Sequence, residues 1–172
     1  MLEFSTQELM IIAAAREIKD GERIFFGMRV PITAYGVARL THAPNAVGLF
    51  ESGVARYQPA DDMLYTMCDG RNQLGAAWTT GLIQMMGLLS GGRIHAGFIG
   101  GAEIDRFANI NTSYIGDFDS PKIKLPGSGG APDIATMAER LIIAINHQKR
   151  RLVAVSYTHL RAHEPSLHLV CR

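Results

Sequence analysis

The sequence predicts an α/β fold in which a mainly parallel sheet is covered by helices on both faces, giving a three-layer α/β/α arrangement. Three observations lead there. Helix-like and strand-like segments alternate along the chain. The strand-like segments are short runs of branched and aromatic residues without the polar alternation of a half-exposed sheet, and glycines bound several of them. Runs of that kind read as strands buried on both faces.

The elements follow in order. Ser5-Thr6-Gln7-Glu8 has the form of a capping box, with Ser at the cap and Glu three residues on. It opens a helix whose expected apolar stripe is Leu9, Ile12 and Ala13, extended by the stem of Arg16 and closed near Asp20-Gly21. Residues 23–27 are a buried strand. Pro31 suits the start of a helix over 32–40, which Pro44 keeps from continuing. Residues 47–50 form the next strand, with Glu51 at its carboxyl end. The run 75–89 is apolar nearly all round and predicts a buried helix ending at Ser90-Gly91-Gly92. Residues 94–99 are a strand leading into Gly100-Gly101, followed by a turn-rich segment containing Asp105, Asn109 and Asn111. A loop at 126–130 precedes a short helix, capped by Asp133 and running to 140, and a last strand at 141–145.

Composition bounds the function. The 172 residues are 47% hydrophobic and carry 17 Lys+Arg against 16 Asp+Glu, a formal charge of +1. That suits one globular domain and excludes disordered and collagen-like classes. A balanced charge lacks the cationic excess that phosphate neutralisation requires, and Lys149-Arg150-Arg151 is the sole basic run, so no nucleic-acid partner is expected. Cys68 and Cys171 make neither a disulfide framework nor a CxxC knuckle. No apolar run approaches the roughly 20 residues of a membrane span, and the N-terminus has Glu3 and Glu8 where a signal peptide carries positive charge. A cytoplasmic location without membrane contact is the expectation.

In parallel sheets, ligands bind beyond the carboxyl ends of the strands. Glu51 stands there, either as a nucleophilic carboxylate or as a strand-end acceptor of backbone N–H bonds. Gly100-Gly101-Ala102 lets backbone N–H groups approach a ligand, as an oxyanion hole does, or is simply a tight turn. FIGGAE lacks the full GxGxxG spacing of a dinucleotide site. Gly127, Ser128, Gly129 and Gly130 precede a helix and suit a phosphate or pantetheine chain, or form a plain loop; no Walker lysine follows them. His42, His95 and His147 have no second ligand three or four residues away, so no metal site is expected. Met63, Met67, Met85 and Met86 read as core filler, and Cys68 lacks an obvious base.

Four segments together carry a resemblance: FESG at 50–53, FIGGAEIDRFANINTSYIGD at 98–117, GSGGA at 127–131 and NHQKRRL at 146–152. In order and spacing, from residue 6 to about 153, the chain resembles the β subunits of the family I CoA-transferases of the glutaconate CoA-transferase type. The resemblance implies transfer of coenzyme A from an acyl-CoA to a carboxylic acid, with a separate α subunit in a hetero-oligomer. It implies coenzyme A and acyl-CoA as substrates and no permanently bound cofactor. It makes Glu51 the nucleophile of a ping-pong reaction passing through an acyl-glutamyl anhydride and a glutamyl-CoA thioester. Gly101, beside Gly100, becomes the backbone oxyanion donor, and the loop of Gly127, Ser128, Gly129 and Gly130 becomes the CoA contact. Glu103 departs from the Gln that relatives often carry. Two alternatives stay open: a ring-opening CoA-thioester hydrolase of the same fold, and a non-catalytic small-molecule sensor domain.

The resemblance ends at Val153. One frame of a common transposon-derived sequencing adapter encodes the run at 155–164. The expected organisation is therefore a partial β-subunit domain over 1–153, lacking its C-terminal part, and non-native read-through over 154–172. His159, His163 and His168 then form no metal site, and the +1 charge comes from the tail, where two Arg stand against one Glu.

Overall fold

A computed structural model describes residues 4–62, 64–154, 160–161 and 167–171. Its elements are α1 (Thr6–Arg16), β1 (Arg23–Phe26), α2 (Val30–Leu40), β2 (Val47–Phe50), β3 (Val54–Arg56), α3 (Gly70–Gln73), β4 (Trp78–Thr79) and α4 (Leu82–Ser90). They continue with β5 (Ala96–Ile99), β6 (Glu103–Asp105), β7 (Asn109–Asn111), β8 (Tyr114–Gly116), β9 (Pro121–Lys124), α5 (Ala131–Met137), β10 (Arg140–Ile145), β11 (Leu152–Val153), β12 (Leu160–Arg161) and β13 (Leu167–Cys171). The main sheet has the order β13-β10-β5-β1-β2-β3-β4. From β13 to β2 the pairs are parallel, and β3 and β4 extend that sheet as antiparallel strands. A second sheet runs β11-β6-β7-β12, and β8 pairs with β9.

Alternation along the strands divides the core between two faces. Ile24, Phe26, Phe50, Phe98 and Ile142 pack with Ala14, Ala15, Ala34, Tyr35 and Ala38 of α1 and α2. Phe25, Leu49, Ile99, Leu141 and Ile143 pack on the other side with Met85 and Leu89 of α4, Ile134 and Ala135 of α5, and Ile104 and Ile110 of the second sheet. Each large side chain buried this way contributes about 1.5–3 kcal/mol. The three-layer expectation holds. The Arg140 guanidinium donates to both carboxylate oxygens of Glu22, at 3.0 and 2.9 Å, tying the start of β10 to the entry into β1.

Several local expectations are corrected. The capping box of α1 forms, with Ser5 Oγ accepting the Glu8 N–H and Glu8 accepting the Ser5 N–H. The buried stripe, however, is Met10, Ala14 and Ala15 rather than Leu9, Ile12 and Ala13, and Ile12 is 42% exposed. Small alanines let α1 sit close against Ala34 and Ala38, which turns the larger side chains to the flank. The run 75–89 is not one buried helix. Ladder bonds from Ala77 N–H to Ala55 O (2.9 Å) and Thr80 N–H to Gly53 O (2.7 Å) draw its first part into β4. Of α4 only Met85 and Leu89 are buried, while Ile83 is 82% exposed. The helix expected to reach 140 ends at Met137; its cap is Gly130, with Asp133 inside the first turn. The turn-rich segment contains two hairpins. In the first, Asp105 accepts the N–H groups of Phe107 and Asn109, both at 2.9 Å. Among the described residues, no helix is long and apolar enough to cross a membrane.

Candidate active site

Glu51 opens the three-residue loop between β2 and β3. Phe50 pairs with Val54, and the Gly53 N–H donates to Phe50 O at 2.9 Å, closing the turn. Such loops place their third residue in the left-handed region, and Gly53 has φ +96°. A Cβ there would lie 1.9 Å from the Thr80 carbonyl oxygen, so position 53 has no room for one. Ser52 Oγ donates to Met67 O at 2.9 Å, which ties the hairpin to the segment that follows β3. The Glu-Ser-Gly order is thus set by the hairpin: an outward carboxylate, a tethering hydroxyl and a left-handed glycine.

Strand alternation turns Phe50 toward α2 and Glu51 toward α5. The half-buried Glu51 carboxylate comes against Gly130, where an added Cβ would lie 2.8 Å from Oε1 and 3.2 Å from Cδ. The loop before α5 is anchored at both ends. Gly127 N–H donates to Thr112 O at 3.2 Å, and Ser128 O accepts the Ala131 N–H at 2.9 Å. Between these anchors it is open, since an added Cβ at Gly127 or Gly129 meets nothing within 4 Å. Bare backbone therefore lies beside a carboxylate, next to a loop with space around it.

Gly100 and Gly101 sit elsewhere on the same edge. The order β5-β1-β2 and the strand registers put them across β1 from Glu51, two strand spacings or about 10 Å away. Gly101 packs under Ile110, whose Cγ2 would be 2.2 Å from an added Cβ. Its carbonyl accepts from Arg151, and the Ala102 N–H donates to Asn111 O at 2.9 Å. Both glycines line a cleft of about 1310 Å³ on the α2 side, together with Gly27, Arg29, Phe50 and His147. That cleft opens beyond the carboxyl ends of β1, β2, β5 and β10, where a parallel sheet holds its ligands. Glu51 is not among the residues lining it.

Other candidates have structural work. His42 Nε2 lies 3.1 and 3.0 Å from the carbonyl oxygens of Ala15 and Ile18, and His95 Nδ1 accepts the Arg23 N–H at 3.0 Å. Glu103 accepts from Asn111 Nδ2 at 2.9 Å. Cys68 is exposed. Among the described residues, no group of three or more His, Cys, Asp or Glu could hold a metal ion.

Two arginines were not identifiable as site residues from the sequence. Arg56 is only 3% exposed, and its guanidinium donates to the carbonyls of Gln58, Pro59, Asn72 and Leu74, so it fixes the 57–74 segment as a wall of the cleft. The Tyr35 hydroxyl braces this wall by donating to Arg56 O at 2.7 Å, and burial raises the Tyr35 pKa above its usual value. Arg29 stands at the cleft with φ +68°, a conformation no residue pattern announces.

A family model described as Coenzyme A transferase matches residues 7–159. The chain is 40% identical over 158 residues to the β subunit of the 3-oxoadipate CoA-transferase of Pseudomonas knackmussii, covering 89% of this chain and 59% of that protein. It superposes on the crystal structure of glutaconate coenzyme A-transferase from Acidaminococcus fermentans with a TM-score of 0.80 and 28% identity, over 89% of this chain and 60% of that one. The decarboxylase AibA/AibB aligns with a TM-score of 0.82 and 26% identity, over 98% of this chain and 72% of that one. The chain spans about three fifths of the length of the curated relatives it matches.

Proposed function

This chain belongs to the coenzyme A transferase family, in the group of its β subunits, and from that premise we propose that it moves coenzyme A between an acyl-CoA and a carboxylic acid through Glu51. The observation that carries the reading is the Glu51 carboxylate at a hairpin tip against the bare backbone of Gly130. A Glu51 oxygen attacks the thioester carbonyl carbon, the C–S bond breaks, and an acyl-glutamyl anhydride forms with CoA thiolate as the leaving group. The thiolate then attacks the glutamyl carbonyl of the anhydride. The donor's carboxylate leaves, and the thioester remains on Glu51. An acceptor carboxylate runs the two steps in reverse, which gives ping-pong kinetics. A carboxylate suits this chemistry because a thioester formed on it keeps the transfer potential of the acyl-CoA, provided water is excluded.

In this reading, the loop of Gly127, Ser128, Gly129 and Gly130 contacts CoA, whereas Gly101 with Gly100, the oxyanion donors expected from the resemblance, stand about 10 Å from Glu51 on the α2 side, beyond reach of an oxyanion formed on that carboxylate as it is placed here. A complementary α subunit closes the site, and the enzyme works in the cytoplasm. The acyl group belongs to a dicarboxylic acid, as 3-oxoadipate and glutaconate both are. The test uses the full-length two-subunit enzyme, incubated with acyl-CoA and then with borohydride or hydroxylamine. Inactivation only after acyl-CoA exposure, abolished in Glu51→Ala, is the expected result. Failure to trap a thioester with any acyl-CoA overturns the reading. Steady release of free acid and CoA without an acceptor identifies a hydrolase instead.

A further inference from the structure

We propose that Arg29 is the residue that selects a dicarboxylic acyl group, by binding its distal carboxylate in the cleft on the α2 side; this rests on the Glu51 reading. The carboxyl edge of the sheet separates two spaces. The open loop at 127–130 lies on the α5 side with Glu51, and the cleft lies on the α2 side with Phe50, Gly27 and Gly100. A thioester whose carbonyl sits at that edge directs its CoA arm to one space and its acyl chain to the other.

The charged side chains lining the cleft are Arg29, Arg56, Asp62 and Arg151. Three of them are already engaged. Arg56 is surrounded by carbonyl oxygens, Asp62 pairs with Arg71, and Arg151 Nη1 donates to the carbonyls of Gly101 and Ala102. Arg29 is exposed and has no hydrogen-bond or ion-pair partner for its side chain among the described residues. Its backbone, by contrast, is held in place. The Arg29 carbonyl accepts the N–H groups of Ile32 and Thr33 at 3.0 and 3.3 Å, and the residue is held at φ +68° and ψ −124° as the cap of α2. A non-glycine residue kept in that region is a sign of function when it faces a ligand cleft.

Position supports the assignment. Phe26 is in register with Phe50, so Gly27 lies beside Glu51, and Arg29 follows two residues on, within about 7 Å of backbone. A guanidinium at that remove faces the far end of a short acyl chain, and its planar fork matches a carboxylate with two parallel N–H bonds.

The test compares Arg29→Gly and Arg29→Lys in the full-length two-subunit enzyme, with glutaryl-CoA and butyryl-CoA as donors. Glycine is at ease at φ +68°, so the first variant removes the guanidinium without straining the fold. Arg29→Gly is expected to lower kcat/KM for glutaryl-CoA ~100-fold while changing butyryl-CoA by less than about threefold, with Arg29→Lys in between. Equal effects on both donors, or an unchanged ratio, overturn the proposal. Binding of free glutarate against butyrate, followed by equilibrium titration without turnover, must weaken selectively in Arg29→Gly. That measurement does not depend on chemistry at Glu51, so a missing glutamyl thioester and a missing carboxylate site give distinguishable results.

Discussion

In the proposed mechanism Glu51 and Gly130 act as a pair, and the glycine is the more telling member. A carboxylate at a strand end is common, but this one packs against a residue without a side chain, so close that a Cβ there would collide with it. Gly130 has φ −79° and ψ 3°, which alanine adopts without strain. Gly130→Ala therefore changes the site and leaves the backbone alone. Its methyl group would stand 2.8 Å from Glu51 Oε1 and force the carboxylate aside. In the full-length enzyme the expected outcome is a loss of ~100-fold in kcat with an unchanged melting temperature, and a matching loss of the trapped glutamyl thioester. A variant that traps thioester at the wild-type rate would remove Gly130 from the site.

The element that presents Glu51 is the hairpin of β2 and β3, and its geometry depends on Gly53. Gly53→Ala must accommodate both φ +96° and a methyl group 1.9 Å from Thr80 O, where β4 pairs onto β3. The backbone cannot satisfy both, so the expected cost is about 3 kcal/mol or more, read as a lower denaturation midpoint together with lost activity. A stable, active Gly53→Ala enzyme would show that the hairpin tolerates another conformation. The strands at 23–26, 47–50, 96–99 and 140–145 were legible in the sequence because burial on both faces writes an unbroken apolar run. Glu51 was legible for the same reason, since a polar residue that ends such a run lies on the edge where ligands bind. The contact between Glu51 and Gly130 was not, because it depends on α5 folding back over the sheet. Val54-Ala55-Arg56 escaped recognition as a strand because its buried charge is satisfied by carbonyls 2 to 18 residues further along the chain. In α1, the succession of Leu, Met, Ile and Ala is apolar on nearly every face, so only the packing against Ala34 and Ala38 selects which side is buried.

At the scale of the whole molecule, a sheet with two unlike faces gives two unlike spaces at its carboxyl edge, and the proposed chemistry needs that division between CoA arm and acyl chain. The same sheet has β13 on the outer side of β10, with Leu141 opposite Leu167 and Ile145 opposite Cys171. Pairing of this kind places few demands on sequence: an uncovered parallel edge offers N–H and C=O groups to any short apolar run, whatever its origin. The Leu-His-Leu-Val-Cys of β13 is short and mostly apolar, and meets that requirement. We therefore propose that residues 1–153 are the native part of a CoA-transferase β-subunit domain and that 154–172 derive from adapter DNA, with β13 occupying an edge the native chain covers in another way. Genomic DNA read across codon 153 decides this. The expected reading frame departs from the present sequence directly after Val153 and does not encode Ser-Tyr-Thr-His-Leu. A genomic frame that continues through residues 154–172 overturns the proposal and makes β13 a native strand of the sheet.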